Sequence, residues 1–282
     1  MKKFYLPFIA AAALLAAASC NKDAGQADPV PSTDEIVLLV GDTFDPVVDT
    51  KTTAVTSLSS LYWGASTGSA GSETQKWAAA SASVSSNKIS TGKYQTASPT
   101  SYNYYVANQS FTIGSSTTIA ATNTKDIVAG RASSTTSTTP SVTLNHIFAR
   151  TGSFTFANYS GYTVSNVSYT IVGKSTINGT AGTYNMTTSA WTAATTKLSS
   201  ATAITGSSDM YLIPGTYTIA CTFTLTKGDN FTKTYTKSCD ATLDAGKINN
   251  FTVTCTVDEA VQIQIGVSLT AWANNPVELS FS

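Results

Sequence analysis

A single histidine, His146, limits the acid–base chemistry open to this chain. A nucleophile–His–carboxylate arrangement would have to be built round that one ring. Residues 142–150 (VTLNHIFAR) alternate as a strand does, so a structural role is expected for it. Asp42, Asp45 and Asp49 cluster in the stretch after an apolar run. Carboxylates suit calcium, but the cluster reads first as a solvated loop. The clustered His and Cys spacing of a zinc site is missing. Gly228 falls in a turn and does not open a helix, so it makes no phosphate-binding loop. No pair of carboxylates is singled out for glycoside hydrolysis. Trp63, Trp77, Trp191 and Trp272, with Tyr102, Tyr104 and Tyr105, are able to stack on sugar rings. The same residues are ordinary core and edge residues of β-sandwiches. The expectation is a protein that is not an enzyme and carries no cofactor or metal.

The remaining reactive groups are four cysteines, of which Cys20 stands apart. Lys2 and Lys3 precede an apolar run over residues 4–18, too short to span a bilayer comfortably. The run ends in Ala17-Ala18-Ser19-Cys20, which resembles a bacterial lipobox. There the thiol takes a diacylglycerol and the leader is cut before it. An ordinary signal peptide with a chance cysteine is the alternative. Cys20 is preferred as the lipidation site because it is the only cysteine in the first two hundred residues and lies where the apolar run stops. Each buried CH₂ of an acyl chain contributes about 0.8 kcal/mol to membrane anchoring. The expected division is a signal peptide over 1–19, then a lipidated Cys and flexible tether over 20–34. Cys221, Cys239 and Cys255 allow at most one intramolecular pair. Cys221 and Cys255 lie on the apolar parity of their segments, either bonded or as buried thiols.

The positioning elements read as strands. Residues 216–226 (TYTIACTFTLT) place Tyr217, Ile219, Cys221, Phe223 and Leu225 on one parity and Thr or Ala on the other. Lys227-Gly228-Asp229-Asn230 supplies turn chemistry, so a hairpin back through residues 231–237 is expected. Phe251, Val253, Cys255 and Val257 alternate too, as do Val261 to Leu269 and, at the C-terminus, Val277, Leu279 and Phe281. Val167, Tyr169 and Ile171 share a parity, and residues 102–107 (YNYYVA) form an aromatic strand candidate. Ile36, Val37, Leu38, Leu39 and Val40 are continuous and apolar, which fits a strand buried on both faces. Val55, Leu58 and Leu61, three apart, allow one helical turn. Residues 133–141 (SSTTSTTPS) are low-complexity and are taken as a boundary, giving domains 35–140 and 141–282. Charged residues make up 11 % of the 282, with zero net charge, which leaves no basic face for nucleic acid. The fold class is all-β, of sandwich type.

In their order and spacing these segments resemble the fimbrillin family, subunits of Bacteroidales type V pili. The resemblance is carried by the lipobox leader and tether, then Glu35 to Val40, Lys51 and residues 58–66. Asp126-Ile127-Val128-Ala129 follows, then residues 142–150 with their His, Ala and Arg, residues 210–214 (MYLIP) and residues 265–272 (IGVSLTAW). It implies two transthyretin-like β-sandwich domains in tandem. It also implies an outer membrane lipoprotein at the cell surface that enters a pilus after processing. A protease would cut behind the first strand, where Lys51 stands in place of the family's Arg. Loss of Ile36 to Val40 would open a groove for a neighbouring subunit's strand. Val277, Leu279 and Phe281, free of charge except for Glu278, suit that donor. Partners would be other pilus subunits in head-to-tail exchange, the outer membrane through the lipid, and host or bacterial surface ligands. The alternative is a non-polymerising surface lipoprotein that binds glycans.

Overall fold

The computed structural model describes residues 34–42, 60–96, 98–156, 161–204, 210–256, 262–271 and 276–279. Its strands are β1 (Glu35–Asp42), β2 (Ser60–Thr67), β3 (Thr74–Ser83), β4 (Lys88–Tyr94), β5 (Tyr102–Ala107), β6 (Thr112–Ile113), β7 (Thr117–Thr122), β8 (Val128–Thr135) and β9 (Ser141–His146). They continue as β10 (Ala149–Phe156), β11 (Thr163–Gly173), β12 (Gly179–Asn185), β13 (Ala190–Lys197), β14 (Thr202–Ile204), β15 (Tyr211–Leu212) and β16 (Gly215–Lys227). The last are β17 (Phe231–Leu243), β18 (Lys247–Thr256), β19 (Gln262–Ala271) and β20 (Pro276–Leu279). No helix occurs among the described residues. Leu61 lies in β2 and not in a helical turn, because Leu61, Trp63 and Ala65 face one core at period two. Val55 and Leu58 lie outside the described residues.

Four sheets result, with strand orders β3-β2-β5-β8-β9-β1-β4, β13-β12-β7-β6, β15-β10-β18-β19-β20 and β14-β11-β16-β17. The seven-stranded sheet curls on itself and encloses a core of β1, β2, β4, β5, β8 and β9 side chains. Its β5–β8 region is also covered on the other face by β6, β7, β12 and β13. The five-stranded sheet and the β16 sheet enclose a third core round Tyr217, Phe223 and Phe251. The low-complexity segment joins β8 to β9, both in the seven-stranded sheet. The β13-β12-β7-β6 sheet takes strands from either side of it.

The strongest period-two signal forms as expected. Tyr217, Ile219, Cys221, Phe223 and Leu225 are buried, and β16 pairs with β17 from Gly215↔Leu243 to Lys227↔Phe231. Gly228 in the connecting turn has φ +56°, which favours glycine. Hydroxyl pairs Thr222–Thr236 at 2.9 Å and Thr224–Thr234 at 3.0 Å stitch the same hairpin. In β11 the parity breaks. The register with β16 shifts between Ser165 and Ser168, and Asn166 has φ +50°. That bulge turns Val167 outward while Tyr169 and Ile171 stay buried.

Gly130 is where the seven-stranded sheet folds over. A Cβ there would meet the Thr143 carbonyl, its carbon at 2.9 Å and Val142 Cγ1 also at 2.9 Å. Gly130→Ala is expected to lower stability by about 1–3 kcal/mol through overpacking against backbone. Urea denaturation followed by tryptophan fluorescence measures this, and an unchanged midpoint would show that β9 does not cross so closely.

Candidate functional site

Strand β1 is interior to its sheet, although it begins the described chain. It runs parallel to β9, with Leu39↔Ser141 through Asp42↔Leu144, and antiparallel to β4, with Val37↔Ser90 through Leu39↔Lys88. It does not pair with β2, the next described strand in sequence. Val37 N donates to Thr138 O at 2.8 Å, Leu39 N to Pro140 O at 2.9 Å, and Val40 N to Asn87 O at 2.9 Å. Ile36 and Leu38 are 0 % exposed and Val40 5 %, packed with Leu61, Trp63, Ile89, Tyr104 and Val142. Glu35 accepts from the Ser90 hydroxyl and the Gly92 N–H, which hold its carboxyl below the usual range, the Ser90 bond first.

Burial of β1 on both faces is not observed. Val37 and Leu39 are only half-buried, because the covering β13-β12-β7-β6 sheet lies over β5 and β8 and does not reach β1. The strand that is covered twice is β5, all six of whose residues are buried. Tyr102, Tyr104 and Val106 face one core, and Tyr105 and Ala107 the other.

At the other end of the chain β20 pairs antiparallel with β19, Val277 opposite Leu269 and Leu279 opposite Val267. It is the four-residue edge of its sheet. Phe281, Lys51 and Cys20 lie outside the described residues, as do Asp45, Asp49 and Trp272.

A second constellation joins the layers. The Glu73 side chain is fully buried and accepts from the Tyr105 hydroxyl, from Thr117 Oγ1 at 3.1 Å and from Thr187 Oγ1 at 2.8 Å. Arg131 Nη2 lies 3.9 Å from it. Arg131 also donates from Nη1 to Thr187 O at 2.7 Å and from Nη2 to Asn103 Oδ1 at 3.0 Å. Burial first, then the bond to Glu73, pushes the Tyr105 hydroxyl above its ordinary pKa. His146 Nδ1 sits 2.9 Å and 2.8 Å from the two carboxylate oxygens of buried Asp126. That pair ties the end of β9 to the segment entering β8, a structural task.

A family model for fimbrillin-like proteins matches residues 65–272. The chain belongs to the fimbrillin-like family. The fold agrees with solved structures. A fimbrial protein from Bacteroides vulgatus is 13 % identical, with 84 % of this chain and 99 % of that one covered and a TM-score of 0.57. A protein assigned to cell adhesion from Parabacteroides distasonis is 10 % identical, with 85 % and 97 % covered and a TM-score of 0.52. No curated protein matches the sequence. The family is structural rather than catalytic.

Among the described residues of this fimbrillin-like chain, Trp63, Trp77, Tyr102, Tyr104 and Tyr105 do not form an exposed row of rings. Trp63, Tyr102, Tyr104 and Tyr105 are core residues, and half-buried Trp77 packs on Trp63 and Tyr102. Trp191 is the exception, on the wall of a cavity. Cys221 and Cys239 are free thiols that burial pushes up to about 12 and about 11. The Cys255 side chain lies outside those described. Sequence reasoning missed Glu73 and Arg131, and named Asp126 only as part of a strand segment, not as the partner of His146. Its one available signal was a Glu and an Arg in segments otherwise poor in charge.

Proposed function

We propose that this fimbrillin-like chain is a surface pilus or adhesion subunit that assembles by exchange of β1. It is exported as a lipoprotein carrying its lipid on Cys20. Cleavage at Lys51 then frees Ile36, Val37, Leu38, Leu39 and Val40. A neighbour's C-terminal segment, with Val277, Leu279 and Phe281, replaces them. In this reading β9 counts with the first sandwich, so the division of the chain falls after His146 and not at 140.

One observation carries the reading. β1 lies between two strands remote from it in sequence and is joined covalently to the rest only through residues 43–59. Its departure removes no other described strand and leaves the facing edges of β4 and β9 unpaired. An incoming strand restores the ladder and the core together, which is β-augmentation. Apolar residues at 277, 279 and 281 repeat the two-residue spacing of Ile36, Leu38 and Val40. A head-to-tail contact of this kind does not close, so it propagates a filament.

The test is limited trypsin digestion of the folded chain lacking residues 1–20, read by mass spectrometry and size-exclusion chromatography. A single cut at Lys51, release of the β1 fragment and growth of oligomers is expected, with Lys51→Ala blocking all three. A cut at Lys51 that leaves a stable monomer would refute the exchange.

A further inference from the structure

A cavity of about 560 Å³ lies where β8 and β9 part company. Only Val128↔His146 and Ala129↔Asn145 pair between those strands, and the β12–β13 hairpin forms the opposite wall. Its volume suits a compact ligand of one or two rings.

The wall chemistry is specific. Trp191 is fixed there by its Nε1–H donating to Ile147 O at 3.1 Å, and it packs on Phe148 with ring centroids 4.9 Å apart. Tyr184 meets it edge-on at 5.5 Å. Arg131 is pinned by its bonds to Thr187 O and Asn103 Oδ1, yet its side chain remains 21 % exposed. A guanidinium has five N–H donors, so donors remain beyond those two bonds. Thr143, Asn145 and Ser189 add short hydroxyl and amide groups. No Asp, Glu or Lys lines the cavity. The His146 ring is held by Asp126, and Glu73 is sealed behind Arg131 among hydroxyls and is not part of the wall.

A fixed ring offers a stacking face for the C–H side of a sugar. A pre-positioned guanidinium selects a carboxylate. Short polar groups suit ring hydroxyls. An extended peptide would instead be held mainly by a backbone ladder, with no call on the fixed ring and guanidinium of this wall. We infer that the cavity binds a carboxylated sugar, a uronic or sialic acid, with its carboxylate on Arg131 and its ring against Trp191. The site does not depend on strand exchange and is complete in the monomer.

Isothermal titration of the folded chain lacking residues 1–20 tests this with D-galacturonate, N-acetylneuraminate, neutral D-galactose and an oligoglutamate peptide. At least one of the two sugar acids is expected to bind about tenfold or more tightly than galactose, a difference of 1.4 kcal/mol. Trp191→Leu removes the stacking face. Ala245→Glu puts a carboxylate at the exposed mouth without touching the core. Each is expected to weaken sugar-acid binding about fivefold, or 1 kcal/mol, with Ala245→Glu leaving the melting temperature unchanged. Absence of saturable binding, equal binding of galactose, tighter binding of the peptide, or indifference to both substitutions would overturn the inference.

Discussion

Deletion of residues 34–42 will unfold the seven-stranded sheet, and a peptide of those residues added in trans will restore it. Ile36, Leu38 and Val40 are 0 %, 0 % and 5 % exposed. Full burial of an aliphatic side chain contributes about 1.5–3 kcal/mol, so the three together contribute roughly 5–9. Native domains are stable by only about 5–15 kcal/mol. The deletion also strands the carbonyls of Asn87, Thr138 and Pro140, which accept from β1. A groove that fills with water softens this second loss but not the first. Urea denaturation read by tryptophan fluorescence reports it well, because Trp63 and Trp77 pack in the core that β1 closes. Held dilute enough that no neighbour's C-terminal segment fills the groove, the deleted chain should lose the transition of the seven-stranded sheet, and the peptide should bring it back. A peptide whose apolar residues are moved by one position would present its polar side to the groove and should fail. A deleted chain that keeps its midpoint, or rescue by the shifted peptide, would mean that β1 is an accessory strand. Exchange of it would then have no thermodynamic drive.

How far the sequence foretold this structure depends on whether the information was local. Period two identified β16 and the core parity of β18, because their apolar parity faces a core, and the turn residues 227–230 announced the return through β17. The same pattern says nothing about partners. β1 pairs with β4 and β9, about fifty and a hundred residues away, and no turn joins them. A continuous apolar run suggested two buried faces for β1, while the doubly buried strand is the tyrosine-rich β5. Its aromatic residues served both faces and so hid the alternation. The bulge in β11 displaced Val167 through a backbone conformation at Asn166 that Ser-rich sequence does not announce. The glycan reading looked for an exposed row of rings. Three of those tyrosines and Trp63 turned out to be core, and the cavity beside Trp191 takes walls from strands on either side of the low-complexity segment. Sites made by long-range pairing leave no local trace.

Glu73→Leu is expected to lower stability by about 3–5 kcal/mol, the scale for removing one partner from a buried charged network. The side chain is fully buried just before β3, and its oxygens accept from Tyr105 on β5, Thr117 on β7 and Thr187 just after β12. Leucine fills a similar volume but takes the carboxylate away from three hydroxyls; those of Tyr105 and Thr187, 3.3 Å apart, keep each other as partners, and each hydroxyl that stays buried and unsatisfied costs about 1–3 kcal/mol. It also removes the carboxylate facing Arg131, which is partly exposed and keeps its bonds to Thr187 O and Asn103 Oδ1. That exposure keeps the ionic part small, so the hydroxyls dominate. Glu73→Gln retains an acceptor and should cost less. Tyr105→Phe removes one orphan in advance, so the double substitution Glu73→Leu with Tyr105→Phe should cost less than the sum of the two singles. For a chain of this size the single Glu73→Leu change corresponds to a melting temperature lower by roughly 10 °C. The three hydroxyls come from elements that meet only because the β13-β12-β7-β6 sheet lies on the seven-stranded one. A melting temperature within about 2 °C of the parent would therefore show that apolar packing alone holds the two layers. A large loss with the expected coupling would make Glu73 the polar pin between them.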